Sequence, residues 1–122
     1  MPIVDIELVV DPTGNVAANL AQTLADAVGH VLKTPAGQTW VRLHLLSREH
    51  YAENESSIES AELPVFVTVR KRAIPAADEL RSETLALTHA VAKVLGLTAS
   101  FVHTEYAPAA QGRVSFGGTL VE

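Results

Sequence analysis

A strand-helix-strand pattern that runs once and then runs again constrains this chain most. An apolar strand opens at Pro2 (Pro2-Ile3-Val4-Asp5-Ile6-Glu7-Leu8-Val9-Val10), and a second proline-led strand opens at Pro64 (Pro64-Val65-Phe66-Val67-Thr68-Val69-Arg70-Lys71-Arg72). Proline lacks the N–H that a sheet ladder needs, so it fits only the first position or the edge of a strand. In the first strand Val4, Ile6, Leu8 and Val10 share one face, with Asp5 and Glu7 on the other. That period of two marks a half-buried strand.

Each strand is followed by helical spacing. Asp11-Pro12-Thr13-Gly14-Asn15 is turn chemistry, with Thr13 or Asn15 available as an N-cap. Leu20, Leu24, Val28, Val31 and Leu32 then predict a helix from Val16 to about Thr34, stopped by Pro35-Ala36-Gly37. A strand is predicted over Thr39–Ser47, with Val41, Leu43 and Leu45 on one face and Trp40, Arg42, His44 and Leu46 on the other. Arg48 to about Glu62 reads as a polar surface loop with a helical turn near Ile58. In the second half Pro75 suits a first helical turn, and Leu80, Thr84, Leu87, Val91 and Val94 form the buried stripe. Gly96 suits the position just past that helix. Ala99–Tyr106 is the returning strand, residues 107–112 a loop, and Arg113–Leu120 a short terminal strand.

The expectation is therefore one α+β domain over residues 1–122, with repeat one at about 2–47, repeat two at about 64–106 and a C-terminal strand at about 113–120. Right-handed crossovers put two such units into a four-stranded sheet with both helices on one face. The uncovered face would carry Ile3, Val9, Trp40 and Leu46, too apolar to leave in water, so a homo-oligomer is expected.

Composition narrows the partners. The 122 residues are 48% hydrophobic and 19% charged, as in a globular domain. A net charge of −5 without a basic run argues against nucleic acid. No cysteine is present, which excludes disulfides and thiolate zinc sites. His30, His44, His50 and His89 lack ligand spacing, so no metal is expected. No apolar stretch approaches the roughly 20 residues that span a bilayer. No basic-then-apolar leader opens the chain, so no signal peptide, no membrane association and a cytoplasmic location are expected. No P-loop, dinucleotide or G-x-S-x-G signature occurs.

The residues left to carry chemistry are few. Removal of the initiator would give Pro2 a free secondary amine; an ordinary α-amino group titrates at about 7.7–8.0. Burial beside cations would lower that value and leave a neutral amine able to take up and return a proton. The alternative is a proline that merely starts a strand. Arg42 is either a carboxylate binder or a partner of Asp5 or Glu7 across the sheet. Arg70 and Arg72, on one face with Lys71 opposite, are either an anion patch or charge that protects an edge strand. Phe101 and His103, on the returning strand, either line a pocket or are structural, and Tyr51 and Tyr106 are further hydroxyl donors.

Four features together resemble the tautomerase superfamily: Pro2-Ile3-Val4, the duplicated β-α-β unit, Val41-Arg42-Leu43 and Ser115-Phe116-Gly117-Gly118. The group includes 4-oxalocrotonate tautomerase, 5-carboxymethyl-2-hydroxymuconate isomerase, malonate semialdehyde decarboxylase and macrophage migration inhibitory factor. The resemblance implies a cofactor-independent homotrimer with three sites near subunit boundaries. It implies keto-enol tautomerisation of a small unsaturated 2-oxo or 2-hydroxy acid, with Pro2 as general base and then acid. Arg42 matches the carboxylate-binding strand arginine of 4-oxalocrotonate tautomerase, and Arg72 an arginine of the decarboxylase branch. Lys33 lies close to the lysine of the migration inhibitory factor branch, and Phe116 matches the segment that closes the site. Asp11-Pro12 replaces one glycine-arginine clamp, and Ile74 stands where the decarboxylase has a second arginine. Hydration-dehalogenation or decarboxylation on the same scaffold is an alternative. A non-enzymatic ferredoxin-like binding module is another.

Overall fold

The computed structural model describes residues 2–58 and 62–122; Met1 and the part of the polar loop at Glu59, Ser60 and Ala61 lie outside the described residues. Four strands form one sheet: β1 (Ile3–Val10), β2 (Trp40–Ser47), β3 (Val65–Arg70) and β4 (Val102–Tyr106), in the order β2-β1-β3-β4. Strand β1 runs parallel to β2, from Ile3 opposite Trp40 to Val10 opposite Ser47. It runs antiparallel to β3, from Ile3 opposite Arg70 to Leu8 opposite Val65, and β3 is parallel to β4. The two β-α-β halves thus meet at β1 and β3. Helices α1 (Leu20–Leu32) and α2 (Ala77–Leu95) are the crossovers.

Both helices cover the same sheet face. Val4, Ile6 and Leu8 from β1 and Val65, Val67 and Val69 from β3 are buried with Leu24 and Val28 of α1 and Leu87, Val91 and Ala92 of α2. The alternation expected of β1 is present, because its odd positions Ile3, Asp5 and Glu7 are only partly buried. Gly96 ends α2 in the left-handed conformation, with φ of 66°, as anticipated for a residue without Cβ.

Several boundaries move. Helix α1 starts at Leu20 rather than Val16: Val16 packs on the edge of the core, and the chain turns through Ala17–Leu20 before the helix begins. Neither Thr13 nor Asn15 caps it; the cap position is Asn19, without a side-chain cap bond. It ends before Pro35 because Lys33 turns left-handed and the Thr34 N–H returns to the Gly29 carbonyl, closing the last turn. The loop's helical turn is at Arg48–His50, and Ile58 is irregular. Ala99–Phe101 forms a 3₁₀ turn, so β4 begins at Val102 and Phe101 is off the strand. Strand β3 ends at Arg70, which leaves Arg72 in the bend beyond it and not on a face shared with Arg70.

The C-terminal strand is instead a hairpin, β5 (Ser115–Phe116) against β6 (Thr119–Leu120), because Gly117 and Gly118 both take positive φ and reverse the chain. The open sheet face carries the expected side chains of Ile3, Val9, Trp40 and Leu46, with Phe66 beside them. Trp40 is exposed there, but Asp5, Glu7, Arg42, His44, Thr68, Arg70, His103 and Glu105 occupy the same alternating positions. The register sets these polar columns among the apolar ones, so the face is mixed.

Candidate active site at the proline end of the sheet

Pro2 is buried at the head of β1. Its carbonyl accepts the Trp40 N–H at 3.0 Å, which ties the start of β1 to the start of β2. The Trp40 indole packs edge-on against Phe116, with ring centroids 4.9 Å apart, so the C-terminal hairpin covers this end of the sheet. The tail is laced to β3 and the bend beyond it: Ala107 N–H donates to Val69, Ala110 N–H to Lys71 and Gln111 N–H to Arg72. Arg72 in turn donates through Nε, at 2.6 Å, and through Nη2 to the Glu122 carbonyl.

Cations gather at the same end. Arg70 lies opposite Ile3, and Lys71 and Arg72 follow it. Lys33, at the end of α1, and Lys71 line one cleft of about 290 Å³ with Val31, Leu32, Glu79, Ser82 and Glu83. Inside it Lys71 Nζ donates to Glu83 Oε1 at 2.7 Å, and the Tyr106 hydroxyl donates to the other Glu83 oxygen. Burial first, and then the Glu83 carboxylate, push the Tyr106 phenol well above its ordinary range, which keeps it a neutral donor. Lys71 and Glu83 are the groups that sequence reasoning left out as site residues. Lys71 was visible as the cation opposite its arginine neighbours, but its partner on α2 carried no local signal.

Of the remaining candidates, Arg42 and His103 lie on the open face. Arg42 grips Asp5 with a bidentate fork, Nε to Oδ1 at 2.6 Å and Nη2 to Oδ2 at 2.9 Å. Asp5 is held below the usual carboxylate range, mainly by that hydrogen bond, with His44 Nε2 also near it at 3.5 Å. His103 sits opposite Phe66, with ring centroids 5.4 Å apart. Phe66 is four residues before Arg70, so His103 is about 13 Å along the sheet from the proline end. Phe101 is farther still. Within one chain Pro2, Lys33, Arg70, Arg72 and Phe116 are brought to one end, whereas Phe101 and His103 are not; Arg42 is near that end but committed to Asp5. Asp11, where the tautomerase clamp would be, pairs with Arg48 at 2.8 Å at the opposite end of β1. Among the described residues no group of three or more His, Asp or Glu side chains is arranged to hold a metal ion. No helix among the described residues is long and apolar enough to cross a membrane.

No family model and no curated protein matches this chain. Solved structures do. The macrophage migration inhibitory factor of Trichinella spiralis superposes with a TM-score of 0.71 at 16% identity, over 97% of this chain and 98% of that one. A wild-type fused 4-OT symmetric trimer matches at 0.73 and 17% identity, covering 98% and 94%. The malonate semialdehyde decarboxylase FG41, inhibited by 3-bromopropiolate, matches at 0.67 and 19% identity, covering 95% and 91%. The fold is that of the tautomerase superfamily, a duplicated β-α-β sheet with two helices on one face. The likeness spans nearly the full length of each of the three.

Proposed function

We infer that this chain is a cofactor-independent tautomerase of that superfamily, acting on a small unsaturated 2-oxo or 2-hydroxy acid. The observation that carries the reading is the burial of Pro2 at the sheet end where Lys33, Arg70, Lys71 and Arg72 gather. With the initiator removed, the ring nitrogen is a secondary amine whose charged form is disfavoured by burial and by those cations. It takes the enol proton as a neutral base and returns it to carbon as an acid. The dienolate formed between the two steps is anionic, and ammonium and guanidinium groups stabilise it and the substrate carboxylate. Phe116 on Trp40 limits water at the mouth. Arg72 binds a carboxylate through its Nε–Nη2 edge only by releasing the Glu122 carbonyl, which makes the tail part of that mode's binding cost.

Three copies complete the proposed assembly, in keeping with the fused 4-OT trimer. The open faces then line its interior, and Arg42, Phe101 and His103 reach a site from a neighbouring subunit. A cytoplasmic location and the absence of nucleic-acid and membrane partners belong to the same reading. Decarboxylation or hydration is the second reading, favoured by Glu79 lining the cleft as a potential water-activating carboxylate.

The test begins with the natural, untagged protein. Intact mass should show one methionine lost, and the same material should ketonise phenylenolpyruvate or 2-hydroxymuconate in preference to turning over 3-haloacrylates or malonate semialdehyde. Retained methionine, which makes the nitrogen an amide, together with no turnover of the enols, overturns the reading.

A further inference from the structure

The antiparallel register between β1 and β3 carries an assignment beyond the proline itself. Ile3 lies opposite Arg70 and Val4 opposite Val69. Continuing one step sets Pro2 opposite Lys71. Alternation turns both toward the helix-covered face, because Val4 and Val69 are buried there and Ile3 and Arg70 are not. The side chains agree: Pro2 is buried, and Lys71 reaches Glu83 on α2. Side chains directly opposite on antiparallel strands have Cβ atoms about 4.5–5.5 Å apart. On that continued register Lys71 shares the proline's side of the sheet, whereas Arg70 faces the other.

We propose that Lys71 is the cation that binds the substrate's oxyanion beside Pro2, and that Glu83 and Tyr106 are the positioning residues that hold its ammonium there. The proposal rests on the tautomerase reading and names its anion-binding group. Lys71 is not a solvated surface lysine, since its side chain is only 22% exposed and that of Glu83 only 11%. Its ammonium has three donors, of which Glu83 takes one and the cleft is open to the others. Both carboxylate oxygens of Glu83 are used, one by Lys71 and one by Tyr106, so the lysine is fixed from behind. The Lys71 main chain is fixed as well, by the Ala110 N–H on its carbonyl at 2.8 Å. The other charged groups around it are Lys33 from α1, Glu79 from α2 and its chain neighbours Arg70 and Arg72.

The consequence can be read without turnover. A cation next to an amine lowers the amine's pKa, and an anion next to that cation raises it again. 2-Oxo-3-pentynoate reports the free amine: the ring nitrogen bonds to the alkyne carbon distant from the ketone, and its proton passes to the neighbouring carbon. The label is seen as one added reagent mass on the N-terminal peptide. Its rate is followed against pH in the assembled protein, for wild type, Lys71→Met, Lys71→Arg and Glu83→Gln. Lys71→Met should move the labelling midpoint up by about one pH unit, and Glu83→Gln should move it down. Lys71→Arg should stay near wild type. In ketonisation Lys71→Met should raise KM for the acid at least tenfold, and Tyr106→Phe should do so more weakly. Midpoints that move together or not at all in folded variants overturn the assignment, whatever Pro2→Ala does. Should Lys71→Met not fold, Glu83→Gln and Lys71→Arg still decide it, because a downward shift in the first with none in the second has no purely structural cause. Wild-type protein that labels but does not ketonise removes the tautomerase reading and leaves the Lys71 assignment to the midpoints.

Discussion

Asp5 illustrates how much a single strand residue decides. It was legible as an outward residue of β1, and one of two possible partners for Arg42; the parallel register then makes it the partner actually used, at 2.6 Å. Its carboxyl is held below the ordinary value of 3.8, chiefly by the Arg42 hydrogen bond. A carboxyl depressed in the folded state stabilises above its unfolded pKa, and that contribution is lost as pH falls through the folded value. Stability should therefore drop below about pH 4 more steeply in wild type than in Asp5→Asn, as denaturant titrations at pH 2 to 7 would read. Equal slopes would show the pair to be idle. Glu83 was not legible in this way. Its partners, Lys71 and Tyr106, are 12 and 23 residues away in sequence and meet it only once α2 is laid across β3 and β4.

At the level of elements, apolar alternation and helical stripes were legible because they follow from the side-chain period of each element and from burial on one face. Boundaries were not, where tertiary packing overrode propensity. Val16 is spent on the core edge instead of the first turn of α1, and Lys33 turns left-handed before any proline can stop the helix. The C-terminal segment misled for a different reason: Phe116-Gly117-Gly118 reads as a strand interrupted by small residues, but two successive positive φ angles, 57° and 91°, make it a hairpin turn. Gly118→Ala should strain that turn by more than about 1 kcal/mol. Trp40 is the chain's single tryptophan and packs on Phe116, so its emission should shift to longer wavelength in this variant. Unchanged emission would mean that the hairpin does not depend on that glycine.

The whole molecule leaves one sheet face without helices, where Ile3, Val9, Trp40 and Leu46 stand among charged side chains. The face carries Asp5, Glu7 and Glu105 beside Arg42, Arg70 and His103, so complementary charge would add to the apolar area in bringing copies together. Light scattering should give the mass of three chains at low salt, with a shift toward smaller species as ionic strength rises. A monomer at every salt concentration would remove Arg42, Phe101 and His103 from any shared site and leave the proline end of a single chain to work alone.

The account as a whole stands on the Pro2 nitrogen. Its most direct measurement is kcat/KM for ketonisation of phenylenolpyruvate by wild type and Pro2→Ala, each with its N-terminus established by intact mass. Loss of a positioned acid-base group should lower the value by roughly 10²–10⁴-fold while the fold and assembly are retained. Undiminished turnover by the folded alanine variant would contradict the acid-base role of the proline.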